Sequence, residues 1–229
     1  MIAAISYTGG KDCTLALHRI KQQGATVAVL VTFSPPETQS FRAHSLDIIK
    51  TQAKALGIPH TTRIIHGPNY LESYKEAICG LKKEYGIDSL VTGDILPVCS
   101  DFMERAVQGT EVALVRPLWQ QDQQELLKEM WNSQFDILVT CVNQGKIPRA
   151  ILEKVKSEYA VGLPLTQAGL NAIKSENVEI SPTGEFGELH TMVLNCPLYV
   201  NGKIAIQAES MDDEDYVFLN IKNVELIAH

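Results

Sequence analysis

The stretch Ile2-Ala3-Ala4-Ile5-Ser6-Tyr7-Thr8-Gly9-Gly10-Lys11-Asp12-Cys13 is a short apolar run that breaks on two glycines and passes directly into apolar residues at helical spacing over 12–23. The pattern predicts a strand, a tight turn and a helix. At such a turn the N–H groups of the first helical turn have no intrahelical acceptor, and the helix dipole adds positive charge, so the backbone itself binds an anion. Paired glycines let that backbone come within hydrogen-bonding distance of a phosphate, where a Cβ would collide. Thr8 adds a hydroxyl and Lys11 a cation. The spacing is neither G-x-x-x-x-G-K-[ST] nor G-x-G-x-x-G.

Outward from this unit, short β-type runs alternate with amphipathic stretches as far as residue 145. Strands are expected over 2–6, 27–33, 61–65, 89–92, 112–115 and 135–142, and helices over 12–23, 43–56, 70–85 and 121–131. Gly24, Gly57 and Gly86 stand where three of the helices should stop. Strand and helix in alternation predict an α/β fold, a parallel sheet with helices on both faces. Beyond Ile147 one more amphipathic stretch runs to Tyr159. An irregular segment over 160–178 follows, and then β-type runs around 191–194, 204–208 and 216–221. This reads as a smaller α+β C-terminal domain, dividing the chain into 1–145 and 146–229.

The 229 residues, 45% apolar, suffice to bury a substantial core. A net charge of −7 argues against a surface built to grip nucleic acid. The N-terminal run reads as a first strand, with no basic region before it, and not as a signal peptide. No stretch approaches the roughly 20 apolar residues of a membrane span. Five scattered cysteines without a C-x-x-C pair fit a reducing cytoplasm and no zinc or iron–sulfur site. Oligomeric state is left open, with a homo-oligomer among the possibilities.

Ligands in an open parallel sheet bind beyond the carboxyl ends of its strands. Three places there stand out: Ser34-Pro35-Pro36 with Phe41-Arg42-Ala43-His44, then Gly93-Asp94-Ile95, then Arg116-Pro117-Leu118-Trp119. Asp94 is either a turn aspartate or a ligand for magnesium, which prefers carboxylate and phosphate oxygens. His44 is as readily a surface histidine, and Trp119 a core residue.

The string Ser6 to Cys13 resembles the S-G-G-x-D-S loop of the N-type ATP pyrophosphatases, the PP-loop superfamily, with Thr8 in place of the first serine and Cys13 in place of the last. The resemblance implies a Rossmann-like, HUP-type sheet and enzymes that split ATP between its α and β phosphates. It implies nucleotide contacts from Ser6, Thr8, Gly9, Gly10, Lys11, Asp12, Cys13, His44, Gly93 and Asp94. Lys11, Asp12 and Asp94 would be catalytic, and Asp94 would hold Mg2+. Farther on, Thr183-Gly184-Glu185-Phe186-Gly187-Glu188-Leu189-His190-Thr191 precedes Leu194-Asn195-Cys196-Pro197-Leu198-Tyr199. A G-E-x-G-E-x-x-T segment leading into such an end resembles the diphthine–ammonia ligase family, although Asn195 stands where that family commonly has aspartate.

That resemblance implies ATP and ammonium as substrates and diphthine on elongation factor 2 as acceptor, in a cytoplasmic enzyme. A substrate carboxylate would be adenylated with release of pyrophosphate, and ammonia would then displace AMP. Glu185, Glu188, His190 and Thr191 would face the acceptor, the two glutamates meeting the quaternary ammonium of diphthine. Three alternatives use the same loop: a ligase for another carboxylate, a tRNA-modifying adenylating enzyme, and a nucleotide-binding module without catalysis.

Overall fold

The computed structural model describes residues 1–36, 44–98 and 100–228. Phe41, Arg42, Ala43 and Cys99 lie outside them. Five strands, β1 (Ile2–Ser6), β2 (Thr26–Ser34), β3 (His60–Ile64), β4 (Ser89–Val91) and β5 (Ala113–Val115), form one sheet in the order β3-β2-β1-β4-β5. Every pairing in it is parallel. The chain winds outward from β1 to β3, then returns to lay β4 on the other side of β1. The connections after β1 and β4 therefore part above the sheet, which is where such folds open a crevice.

Between the strands lie α1 (Lys11–Gln22), α2 (Leu46–Leu56), α3 (Tyr70–Tyr85), α4 (Phe102–Val107) and α5 (Gln123–Asn132). Ser45, Asn69 and Asp122 cap α2, α3 and α5 by accepting the N–H of Ile48, Glu72 and Glu125. Gly57 and Gly86, both left-handed, end α2 and α3, as their positions predict. Strand alternation divides the core: Ala3 and Ile5 of β1 face α1, α2 and α5, while Ala4 joins Ile78 and Leu81 of α3 and Ala106 of α4 on the opposite face. The expected α/β sheet with helices on both faces is what the chain adopts.

The second sheet is antiparallel, in the order β7-β6-β9-β8, from β6 (Asp136–Asn143), β7 (Leu189–Asn195), β8 (Lys203–Asp212) and β9 (Tyr216–Ile227). The reading of 135–142 as a sixth strand of the parallel sheet is corrected here, because β6 pairs antiparallel with β7 and β9. Six consecutive β6 residues, Ile137–Val142, are buried. A strand covered on both faces loses its alternation, so its sequence looks like that of a central parallel strand. Two helices, α6 (Arg149–Val155) and α7 (Gln167–Ser175), fill the connection from β6 to β7. α7 falls in the segment read as irregular; Thr166 caps it and Leu170 and Ile173 are its inward residues.

One apolar core runs through both sheets, from Ala3 and Ile5 to Val139, Met192 and Ile204. β7 thereby packs over the start of α1. The C-terminal half also closes the end of α2, where Asn201 donates through its backbone N–H to the Ala55 carbonyl and through its side chain to that of Lys54.

Candidate active site

Gly9 turns the chain after β1 in the left-handed region, at φ +76°. Its carbonyl accepts the Val193 N–H at 3.0 Å and the Gln52 Nε2 amide at 2.8 Å. Gln52 also donates to the Val193 carbonyl at 2.8 Å, so one side chain from α2 joins the loop to β7. A Cβ at Gly9 would lie 2.2 Å from Gln52 Oε1 and 3.0 Å from Met192 Sδ of β7, and one at Gly10 would lie 3.2 Å from the Thr191 carbonyl. Both glycines therefore serve close approach to the C-terminal half as well as the turn itself.

The first N–H of α1, on Lys11, donates to Thr191 Oγ at 3.3 Å. Lys11 is 2% exposed, with its ammonium donating to Asp12 Oδ2 at 2.8 Å and to the Thr183 carbonyl. Lys11 thus holds the Thr183–Glu188 turn against the loop, a contact that its position in the motif does not reveal. On the neighbouring strand, Thr92 Oγ donates to Asp94 Oδ2 at 2.7 Å. A Cβ at Gly93 would lie 2.6 Å from the Cys13 nitrogen, so the end of β4 rests directly on the first turn of α1.

These parts enclose a cavity of about 760 Å³ at the switch point of the sheet. Ser6, Thr8, Gly10, Lys11, Asp12, Cys13, His44, Gly93, Asp94, Glu185, His190 and Thr191 all border it. Two of the predicted residues do not. Gly9 stands behind the loop. Glu188 is 4% exposed, and its two carboxylate oxygens accept the N–H groups of Ser181 and Phe186, so it shapes the turn from within. The cavity is also lined by Tyr70, Tyr74, Leu96, Phe102, Met103 and Trp119, of which the sequence marks only Trp119 as a candidate. The Trp119 ring carries the Arg116 guanidinium at 3.7 Å.

Burial sets the protonation of the inner groups. It raises the Asp12 carboxyl in spite of the Lys11 ammonium. Glu185 is pushed up to about 7, by burial first and then by the Asp12 carboxylate. His44 is lowered to about 3 by burial and by His190, whose ring meets it edge-on at 5.2 Å. His190 is lowered in turn by burial and by Lys11. Burial favours the neutral form of both imidazoles. The Cys13 thiol is raised by burial, the reverse of what a nucleophilic cysteine requires.

Asp12 Oδ1 is buried and has no hydrogen-bond partner among the described residues. An oxygen left in that state costs free energy unless a ligand satisfies it. With Asp94 in the turn after β4, the donor set fits magnesium, which nucleotide sites hold through one or two carboxylates together with phosphate oxygens.

A raised carboxyl has a stability signature. Glu185 binds its proton more tightly folded than unfolded, so its contribution to stability declines as pH rises from the unfolded value toward 7 and levels off above it. In chelator-treated protein, Glu185→Gln is expected to remove this decline. Thermal unfolding of both proteins from pH 4 to 8 checks it, and parallel pH profiles would refute the raised carboxyl.

A doubly wound parallel sheet whose glycine loop after β1 meets the turn after β4 at the switch point places the chain among Rossmann-like α/β proteins. Comparison with known proteins then narrows the class. Residues 1–106 match the family model of the diphthamide synthase N-terminal domain. The chain is 25% identical to the diphthine–ammonia ligase of Danio rerio over 240 aligned residues, covering 92% of this chain and 89% of that protein. It is 26% identical to the diphthine–ammonia ligase of Rattus norvegicus over 229 residues, covering 87% and 80%. The likeness to the diphthine–ammonia ligases that the sequence suggests therefore extends over most of the chain. Among solved structures, a predicted subunit of tRNA methyltransferase from Methanocaldococcus jannaschii covers 86% of this chain and 98% of its own at 15% identity, with a TM-score of 0.44. No described helix is long and apolar enough to cross a membrane.

Proposed function

We propose that this chain is an ATP-dependent, AMP-forming carboxylate–ammonia ligase, with diphthine on elongation factor 2 as its acceptor and the cytoplasm as its location. The observation that carries the reading is the convergence on one cavity of the loop after β1, Asp94 after β4, and Glu185 with Thr191 from the C-terminal half. Residues 1–145 would hold ATP and residues 146–229 would present the acceptor, with β6 lent to the C-terminal sheet.

The N–H groups opening α1, apart from that of Lys11, which Thr191 Oγ accepts, would receive the β and γ phosphates. The acceptor carboxylate then attacks the α-phosphorus, the bond to the bridging β oxygen breaks, and pyrophosphate leaves. Asp12 and Asp94 would hold magnesium, which when bound neutralises charge on the phosphates. Ammonia attacks the acyl carbon of the resulting acyl-adenylate and the acyl–oxygen bond breaks, expelling AMP; the surplus proton of the nitrogen leaves to solvent. Fixed donors aimed at such developing charge contribute about 3 kcal/mol each. Thr191 and Lys11 keep the loop in place against β7 before ATP arrives, so little reorganisation is required at the transition state.

Three of the cysteines are poorly placed for sulfur transfer. Cys13, Cys141 and Cys196 are buried, and burial lifts Cys141 and Cys196 to about 11. Thiols held protonated are poor sulfur carriers.

The test is incubation with magnesium, α-labelled ATP and ammonium, with and without diphthine-bearing elongation factor 2. AMP is expected only with the acceptor, and Asp94→Asn is expected to suppress it by about 100-fold or more, the loss of a preorganised charge contact. AMP formed without that acceptor would redirect the search to other carboxylates. ADP, or no turnover, would sink the mechanism.

A further inference from the structure

Glu188 is consumed by backbone N–H groups and Glu185 sits with Asp12, Asp94 and Lys11, so neither glutamate is placed to receive a cationic acceptor group away from the phosphates. The aromatic part of the cavity lining has the chemistry for one. Tyr74 and Phe102 meet edge-to-face, with centroids 5.2 Å apart and planes at 86°. Phe33 backs Tyr74 at 4.8 Å. The half-exposed ring of Tyr70, 53% accessible, stands one helical turn before Tyr74 on α3 and borders the same space. Two perpendicular rings make a corner, which suits a tetrahedral group; a planar base is better held between parallel walls. The faces of such rings carry negative potential and attract an alkylated cation.

A carboxylate completes this wall. Glu104 lies one residue after Met103 on α4 and borders the cavity. Its Oε1 pairs with Arg116 at 2.7 Å, while Oε2 is buried with no hydrogen-bond partner among the described residues. Arg116 is itself occupied by the Trp119 ring, so the pair leaves one desolvated carboxylate oxygen uncommitted. A methylated ammonium offers such an oxygen positive charge without needing a hydrogen-bond geometry.

From this corner and this oxygen we infer that Tyr70, Tyr74, Phe102 and Glu104 form a subsite for a quaternary ammonium group on the acceptor. The inference rests on the ligase reading above, and it assigns the substrate's cation to α3 and α4 of the N-terminal half. Asp94, after β4, and Phe102, at the start of α4, border the same cavity. An acceptor bearing its ammonium beside its carboxyl, as diphthine does, would be held by the first while presenting the second.

The probe is glycine betaine, a trimethylated nitrogen next to a carboxylate, with glycine as its unmethylated control. Saturation-transfer NMR on the full chain is expected to show betaine methyl contact, no glycine contact, and no displacement by α,β-methylene-ATP with magnesium. Tyr70→Ala and Glu104→Gln, the first on a half-exposed ring and the second nearly isosteric, are each expected to weaken betaine by about five- to tenfold. With diphthine-bearing elongation factor 2 both should raise the acceptor KM by a similar factor and leave the KM for ATP unchanged. Displacement of betaine by the nucleotide analogue would overturn the proposal by giving the corner to adenine, and so would equal binding of glycine or unchanged affinity in both variants. The two readings fail separately: betaine capture without turnover on elongation factor 2 upholds the subsite and removes the diphthine assignment. Turnover without betaine capture does the reverse.

Discussion

Gly93→Ala is expected to lower kcat/KM for ATP by about 100-fold, the cost of misplacing a reacting group by roughly an ångström. The new Cβ would lie 2.6 Å from the Cys13 nitrogen, 2.7 Å from the Asp12 carbonyl carbon and 3.0 Å from the Asp12 oxygen. All three are backbone atoms in the first turn of a helix, so no rotamer change relieves the contact. α1 must move off β4, which separates Asp94 from the loop whose N–H groups would face the phosphates. Gly80, in the middle of α3, is the control, because a Cβ there meets nothing within 4 Å. Gly80→Ala should raise stability by roughly 0.5–1 kcal/mol and leave AMP formation intact. Quantifying labelled AMP alongside calorimetric ATP titration tests both variants, and near-normal ATP affinity in Gly93→Ala would refute the packing argument.

The α/β architecture was legible because β1, α1 and the glycines between them are local features. Each is decided by residues adjacent in sequence, and Gly57 and Gly86 mark helix ends through a backbone conformation that only glycine adopts freely. What sequence could not supply was non-local. The burial of β6 on both faces gave no sign of which strands would flank it. α4 has six residues, fewer than two turns, and so carries too short a period to detect.

The same limit applies within the site. Gln52 looks like a solvent-facing position on an amphipathic helix, yet it is fully buried and holds the carbonyls of Gly9 and Val193. Glu185 and Glu188 occupy equivalent places in a repeated Gly-Glu motif. One borders the cavity and the other folds back onto its own turn, a distinction made by the path of the backbone and not by residue type.

Lys11→Met should produce the other large effect, a loss of both folding stability and turnover that deepens with rising pH. The ammonium is buried between the Asp12 carboxylate and the Thr183 carbonyl, so its removal strands a charge in a site that already raises the Asp12 carboxyl. Breaking one side of a buried pair in this way costs about 3–5 kcal/mol. The sign of the pH dependence follows from Asp12. Without Lys11 its folded pKa climbs farther above the unfolded value, and the penalty grows as pH rises through that interval; acidification protonates Asp12 and relieves it. Adding Asp12→Asn to the variant removes the stranded charge. The double variant should therefore unfold at a higher temperature than Lys11→Met alone at pH 8 while forming no more AMP, because the Thr183 turn bordering the cavity still lacks its cation. Thermal unfolding across pH 5–8, with AMP release on the three proteins, separates these roles. If Lys11→Met unfolds like the wild type at pH 8, Lys11 does not join the two halves of the molecule, and the coupling between the loop and the Thr183–Glu188 turn must run through Thr191 and Gln52 instead.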